Sequence, residues 1–194
     1  MTRIIAGSAK GRRLSVPAKG TRPTSDRVRE SLFNTLNSEL LAADETWDSV
    51  SVLDLYAGTG ALGIEAASRG ANPVLLVEKN RAAADVIKRN LEHVALPAIS
   101  LLSAGVNDLL RRTPATAFTM VFADPPYDVA AMTVETLLTE LGSAGWIAHD
   151  ALVIVERPTS DLASPLPMTW TDFVQRRYGD TTLWYGRYVS MTGE

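Results

Sequence analysis

The chain of 194 residues is expected to fold as an α/β protein with a seven-stranded, mainly parallel, doubly wound sheet, closed by an antiparallel hairpin and preceded by a β-hairpin and helix extension. Three observations predict this. From Ser51 onward, short apolar runs alternate with segments of helical periodicity, and parallel strands need such crossovers, which cover both faces of the sheet. A glycine turn follows the first of these runs, where doubly wound sheets place their ligands. Hydrophobic residues make up 46% of a chain with no cysteine, so a core can be buried without disulfide or metal staples.

Arg3 to Ser8 and Arg12 to Val16 read as a β-hairpin around Ala9-Lys10-Gly11. Pro17 and Pro23 then interrupt the chain, and Thr24, Ser25 and Asp26 are N-cap candidates for a helix reaching about Leu41. Val28, Leu32, Leu36 and Leu40 repeat at four-residue spacing with Phe33 beside them, which marks a packing stripe. The polar stretch 44–48 closes this extension, giving residues 1–43 as an appendage and 44–194 as the main domain. Strands are then expected at 50–55, 74–77, 99–102, 118–123 and 151–155, with helices at 61–69, 82–94 and 130–141 and a short one at 106–111. Pro158, Pro165 and Pro167 mark a loop, and 169–177 with 181–189 form the closing hairpin around Gly179-Asp180.

Charge is unevenly spread. Residues 1–37 carry a net +6 and the remainder −9, for the overall −3. Locally dense Lys and Arg on an acidic body is the pattern of a polyanion-binding appendage, or else of a solvated basic surface. The lack of cysteine, with His93 and His149 the two histidines, excludes cysteine zinc sites and thiol redox chemistry. No apolar run approaches the roughly 18 residues of a membrane span, and the start is interrupted too early for a signal sequence. A cytoplasmic protein is expected.

The glycine turn is Val52-Leu53-Asp54-Leu55-Tyr56-Ala57-Gly58-Thr59-Gly60-Ala61-Leu62-Gly63, which satisfies G-x-G-x-x-G. A dinucleotide fits this spacing, with Glu78 at the end of the second strand to hold a ribose. Asp54 argues against it, because a carboxylate before the turn faces a pyrophosphate with like charge. S-adenosylmethionine carries an ammonium for Asp54, a ribose diol for Glu78 and no phosphate. No metal is implied.

The second signature is Asp124-Pro125-Pro126-Tyr127, directly after the fourth strand. Neither proline has an N–H, so the segment is stiff and rich in acceptors. Asp-Pro-Pro-Tyr resembles the motif of methyltransferases that alkylate exocyclic amines on nucleobases, and the lone pair of such an amine is delocalised into the ring and is a poor nucleophile. Asp124 and the Pro125 carbonyl can bind its two N–H bonds and favour a more tetrahedral nitrogen, while Tyr127 offers a face on which an extruded base stacks.

Taken together, these residues resemble the RsmD family of bacterial small-subunit ribosomal RNA guanine-N2 methyltransferases. The likeness spans nearly the whole chain: Arg3-Ile4-Ile5-Ala6-Gly7 with Gly11-Arg12-Arg13-Leu14, Arg22-Pro23-Thr24 with Arg27 to Asn34, the glycine turn through Ala66, Ser68-Arg69-Gly70-Ala71, and Asp124 to Tyr127. The resemblance implies a Rossmann-like class I S-adenosylmethionine-dependent methyltransferase acting on N2 of the guanine called position 966 in standard 16S rRNA numbering. It implies an assembled or late-precursor small ribosomal subunit as substrate; a monomer is expected, although the sequence itself does not give the oligomeric state. Asp54, Tyr56, Gly58, Gly60, Glu78, Ala104 and Asp124 are then cofactor-binding positions. Asp124, Pro125, Pro126 and Tyr127 are catalytic, and Arg3, Lys10, Arg12, Arg13, Arg22, Thr24 and Arg27 contact RNA. Tyr56 and Thr59 depart from the family's more frequent Phe and Ser, and Ser103-Ala104-Gly105 has no acidic residue for adenine, which leaves backbone atoms there. A DNA adenine-N6 or cytosine-N4 methyltransferase and a non-catalytic ribosome-assembly factor are the alternatives; 194 residues leave no room for a separate DNA-reading domain.

Overall fold

The computed structural model describes residues 2–16 and 26–190. The chain divides into two compact units, Met1–Ala104 and Gly105–Glu194. A seven-stranded sheet takes three strands from the first unit and four from the second.

In the first unit, β1 (Thr2–Arg3) and β2 (Arg13–Leu14) pair antiparallel. Helix α1 (Asp26–Ala42) follows, then β3 (Val52–Leu55), α2 (Ala61–Arg69), β4 (Val74–Val77), α3 (Arg81–Val94) and β5 (Ile99–Leu102). The strands lie in the order β5-β4-β3, all parallel. Every residue of β3 is buried, as a strand covered on both faces requires. The stripe of α1 is buried as its spacing predicts: Val28, Leu32, Phe33, Leu36 and Leu40 face inward. The expected caps Thr24 and Ser25 lie outside the described residues, as does Arg22.

The N-terminal hairpin is far shorter than its sequence predicts. Its backbone groups find partners elsewhere, because a buried N–H must be satisfied by something and α2 supplies it. Ile5 and Ala6 donate their N–H groups to the two carboxylate oxygens of Glu65, at 2.7 and 3.0 Å. Ser8 donates to the Ser68 carbonyl at 2.7 Å, and Ala9 to Ser68 Oγ at 2.9 Å. Between them Gly7, at φ +83°, lies so close to α2 that a Cβ would sit 1.8 Å from the Ser68 carbonyl oxygen. From the other side, buried Arg29 of α1 donates to Thr2 Oγ1 at 2.7 Å and to the Arg3 carbonyl. Burial lowers the Arg29 pKa below its ordinary value, against the raising influence of Asp26 and Glu65.

In the second unit, a 3₁₀ turn (Val106–Arg111) leads to β6 (Phe118–Ala123), α4 (Ala131–Ser143), β7 (Ile147–Pro158), β8 (Thr171–Tyr178) and β9 (Thr181–Arg187). The strand order is β6-β7-β9-β8. β6 and β7 are parallel, and the remaining pairs antiparallel. The closing hairpin forms where expected. β7 is longer than the expected 151–155, because β9 pairs with it as far as Pro158 opposite Thr181. Strand β8 is an edge strand, exposed over most of its length, and its Arg176 and Arg177 are solvated charges that blunt that edge. His93 and His149 are both exposed. Among the described residues no helix is long and apolar enough to cross a membrane.

Candidate active site

The register of the first unit sets the geometry of the cofactor half. Leu55, Val77 and Leu102 lie level across β3, β4 and β5. The segments beyond them, starting at Tyr56, Glu78 and Ser103, therefore leave the sheet at one edge, the carboxyl ends of parallel strands.

The glycine turn is shaped by left-handed backbone. Tyr56, Gly58 and Gly60 have φ of +61°, +57° and +77°, so the chain doubles back within five residues before entering α2. Ala57 donates to the Val77 carbonyl and Gly60 to that of Ala57. Gly63, in the first turn of α2, is the third glycine of the pattern. A Cβ there would lie 2.2 Å from Leu76 Cδ2 and 3.1 Å from Asp54 Oδ2, so its absence lets the helix close onto the strand ends.

Two carboxylates frame this turn. Glu78 is buried and accepts the N–H of Gly58 at 2.8 Å and that of Asn80 at 2.6 Å. One side chain thus ties the glycine turn to the loop after β4 while its remaining lone pairs can take hydroxyl donors. Asp54 is 2% exposed and accepts the Gly63 N–H at 2.9 Å. Burial pushes its carboxyl up to about 7; the Gly63 N–H opposes this and the nearby charge of Glu78 adds to it. A half-ionised buried carboxyl is a site that a cationic ligand group would complete. Two buried carboxylates beside one glycine turn are groups that could hold S-adenosylmethionine, Asp54 through its ammonium and Glu78 through its ribose diol.

The third loop fits less directly. Ala104 donates its N–H to the Leu102 carbonyl at 3.0 Å, and Gly105 donates to Asp108 Oδ2 at 2.9 Å. An adenine contact from Ala104 would use its carbonyl. Asp108 ties Gly105 into the following 3₁₀ turn.

In the second unit, β6 is buried from Met120 to Ala123 and delivers Asp124-Pro125-Pro126-Tyr127 at its carboxyl end. Asp124 is half-buried, Pro125 buried and Pro126 exposed, and the Tyr127 side chain is 52% exposed. Val129 donates to the Pro126 carbonyl at 3.0 Å, closing a turn. Arg157, at the end of β7 and 3% exposed, donates from Nη2 to the Val129 carbonyl at 2.7 Å. Its Nε and Nη2 also reach Asp161 Oδ2 at 2.8 and 2.6 Å.

Sequence reasoning missed three residues that hold these loops. Arg157 lies in Glu156-Arg157, a charged pair ending an otherwise apolar strand, which was the available signal. Asn80 caps α3 by accepting from Ala83 at 3.0 Å. Asn90 interrupts the buried stripe Ala83, Val86, Ile87 and Val94 of α3, and a polar residue on an apolar helix face marks a specific partner.

Of the residues expected to bind RNA, Arg3, Lys10, Arg13 and Arg27 are exposed. Arg12 is also exposed, but its guanidinium donates to the carbonyls of His93 and Val94 at 3.0 and 2.7 Å, at the C-terminus of α3. That places it as an anchor of the N-terminal segment, a favourable position for a cation. Arg22 and Thr24 lie outside the described residues.

A family model described as conserved hypothetical protein 95, the RsmD family, matches residues 2–187. The chain belongs to this family. It is 35% identical over 170 residues to Ribosomal RNA small subunit methyltransferase D of Escherichia coli strain K12, covering 87% of this chain and 81% of that protein. To the protein of the same name from Haemophilus influenzae it is 33% identical over 183 residues, covering 91% and 89%. Among solved structures, a hypothetical protein of Thermus thermophilus superimposes with a TM-score of 0.76 at 32% identity, over 95% of this chain and 98% of that one. An RNA methyltransferase from Salinibacter ruber, in complex with S-adenosyl-L-homocysteine, gives a TM-score of 0.60 at 14% identity, over 89% and 97%. The RsmD-family chain therefore has the Rossmann-like fold of class I S-adenosylmethionine-dependent methyltransferases.

Proposed function

We propose that this RsmD-family chain transfers methyl from S-adenosylmethionine to the exocyclic N2 of a guanine in 16S rRNA, position 966 in standard numbering, within the small ribosomal subunit or its late precursor. The observation that carries this reading is the acceptor-rich segment Asp124-Pro125-Pro126, at the end of a buried strand and followed by a half-exposed aromatic ring. RNA is favoured over DNA by the names of the curated relatives.

S-adenosylmethionine, when bound, supplies an electrophilic methyl group on a sulfonium. In the first unit, Asp54 takes the ammonium of the methionine end and Glu78 the ribose hydroxyls, while Tyr56, Gly58 and Gly60 shape the turn around them. In the second, Asp124 and the Pro125 carbonyl accept the two N–H bonds of the guanine amine, so that its lone pair projects from the ring. Tyr127 stacks on the base and Pro126 keeps the segment stiff. Asp124 need not be a strong base, since the amine becomes acidic only as the new bond forms; the carboxylate or water then takes the proton. Residues 1–43 act as the RNA-binding extension, with Arg3, Lys10, Arg13 and Arg27 on phosphates, and Arg12 holding them in place. Such an enzyme works in the cytoplasm.

The test is transfer of tritiated methyl to immature small subunits or duplex DNA, with mass mapping of the labelled nucleoside. N2-methylguanine in the subunit is expected; robust DNA labelling with none in the subunit would overturn the reading. Asp124→Ala should lower turnover by roughly 10²-fold, as for one lost transition-state partner, and leave S-adenosylhomocysteine affinity within about tenfold. Equal rates for variant and wild type would remove Asp124 from the chemistry.

A further inference from the structure

We propose that Asn90 is a positioning residue that ties the basic N-terminal segment to the glycine turn, so that RNA binding on the one and cofactor binding on the other reinforce each other. This rests on the function proposed above.

Asn90 is 1% exposed on α3, and its amide is engaged on both sides. Its Oδ1 accepts the Ser15 N–H at 2.8 Å, and its Nδ2 donates to the Ser15 carbonyl at 3.1 Å. The side chain thus pairs with the backbone of Ser15 as a neighbouring strand would, and holds the residue two places after Arg13. The same Nδ2 donates to the Thr59 carbonyl at 3.0 Å. Thr59 is 5% exposed and lies between Gly58 and Gly60, the two glycines of the cofactor turn. Both amide hydrogens and the carbonyl oxygen are therefore used, one group bridging two segments more than forty positions apart in sequence.

Few side chains can do this. Aspartate has the same shape but cannot donate, and would face two carbonyl oxygens with negative charge; alanine leaves the carbonyl of buried Thr59 without this donor and releases the Ser15 backbone. Arg12, bonded to the last carbonyls of the same helix, fixes the approach of the segment from its other side. An order imposed on residues 12–16 by phosphate contacts is thus passed through one side chain to the Thr59 peptide, and the reverse holds by linkage.

The experiment measures S-adenosylhomocysteine affinity by calorimetry, with and without saturating purified small subunits, for wild type and Asn90→Ala. Subunits should tighten wild-type affinity about fivefold or more, within the usual range of coupled sites, and tighten that of Asn90→Ala less than about twofold. A purely structural role would weaken both affinities and leave their ratio unchanged, and that result, or a wild type without coupling, overturns the proposal. Should Asn90→Ala fail to fold, amide exchange in wild type decides. S-adenosylhomocysteine should slow exchange at Ser15; slowing confined to the glycine turn counts against the bridge. Wild type that binds no S-adenosylhomocysteine at all would instead overturn the cofactor reading, and this inference with it.

Discussion

The loop after β3 and the loop after β6 both leave buried parallel strands, yet they are held in different ways. Acids pin the glycine turn: Glu78 takes the N–H of Gly58, together with that of Asn80 in the loop after β4, and Asp54 takes that of Gly63. In the proline loop, where Pro125 and Pro126 have no N–H, a base is the pin, with Arg157 on the Val129 carbonyl. The glycine turn is also held through an acceptor of its own, since Asn90 donates to the Thr59 carbonyl while Glu78 takes the Gly58 N–H.

Removing the base should have the larger effect. Arg157→Met leaves Asp161 and the Val129 carbonyl without their partner, and is expected to cost about 3 kcal/mol in unfolding free energy. Denaturant melts measure this. Turnover should fall while S-adenosylhomocysteine affinity holds, because the damage stays in the second unit; a parallel loss of both would contradict that confinement. Next is Gly63→Ala, which forces Leu76 and Asp54 aside. It should destabilise by about 1–3 kcal/mol, as overpacking does, and weaken S-adenosylhomocysteine binding. A neutral outcome would mean that the helix can slide away from β4.

Asp54 sharpens the comparison through pH. Its carboxyl is raised to about 7, so the fold favours the neutral form. On this group's account, stability of the ligand-free protein is greatest in acid and declines as pH rises from the ordinary carboxylate range through about 7. Binding of a cationic ammonium runs the other way. Affinity for S-adenosylhomocysteine should rise as pH passes upward through about 7, before an ordinary α-amino group begins to lose its proton near 8. Asp54→Asn should bind about tenfold more weakly at pH 7.5 and lose that rise; an unchanged profile would show that some other group titrates. The smallest effect belongs to Tyr127→Phe, which keeps the stacking face and should hold turnover within about threefold. A loss beyond tenfold would assign the hydroxyl a part that stacking does not need.

Local features were legible in the sequence. The alternation of Val52–Leu55, Ala61–Arg69 and Val74–Val77 is carried by periodicity and by the glycine turn itself, and Asp54, Glu78 and Asp124 announced themselves by standing at strand ends. The long-range side-chain bonds were hidden. Glu65 and Ser68 look like ordinary helix-surface residues until the segment 5–9, about sixty positions away, lays its backbone across them. That docking goes with two-residue strands where a long hairpin is expected, and exposed Arg12 bonds the carbonyls at a helix end. No propensity encodes a bond between a side chain and a distant main-chain group. By contrast the closing hairpin, held by its own ladder, formed where Gly179-Asp180 placed it.

Glu78 also restricts which small molecules the scaffold can be retargeted to. Because one carboxylate staples the Gly58 peptide to Asn80, an exchange at this position that removes the acceptor also loosens the scaffold. If Glu78 reads a sugar diol as proposed, a lineage changing its ligand would first have to supply another staple for Gly58.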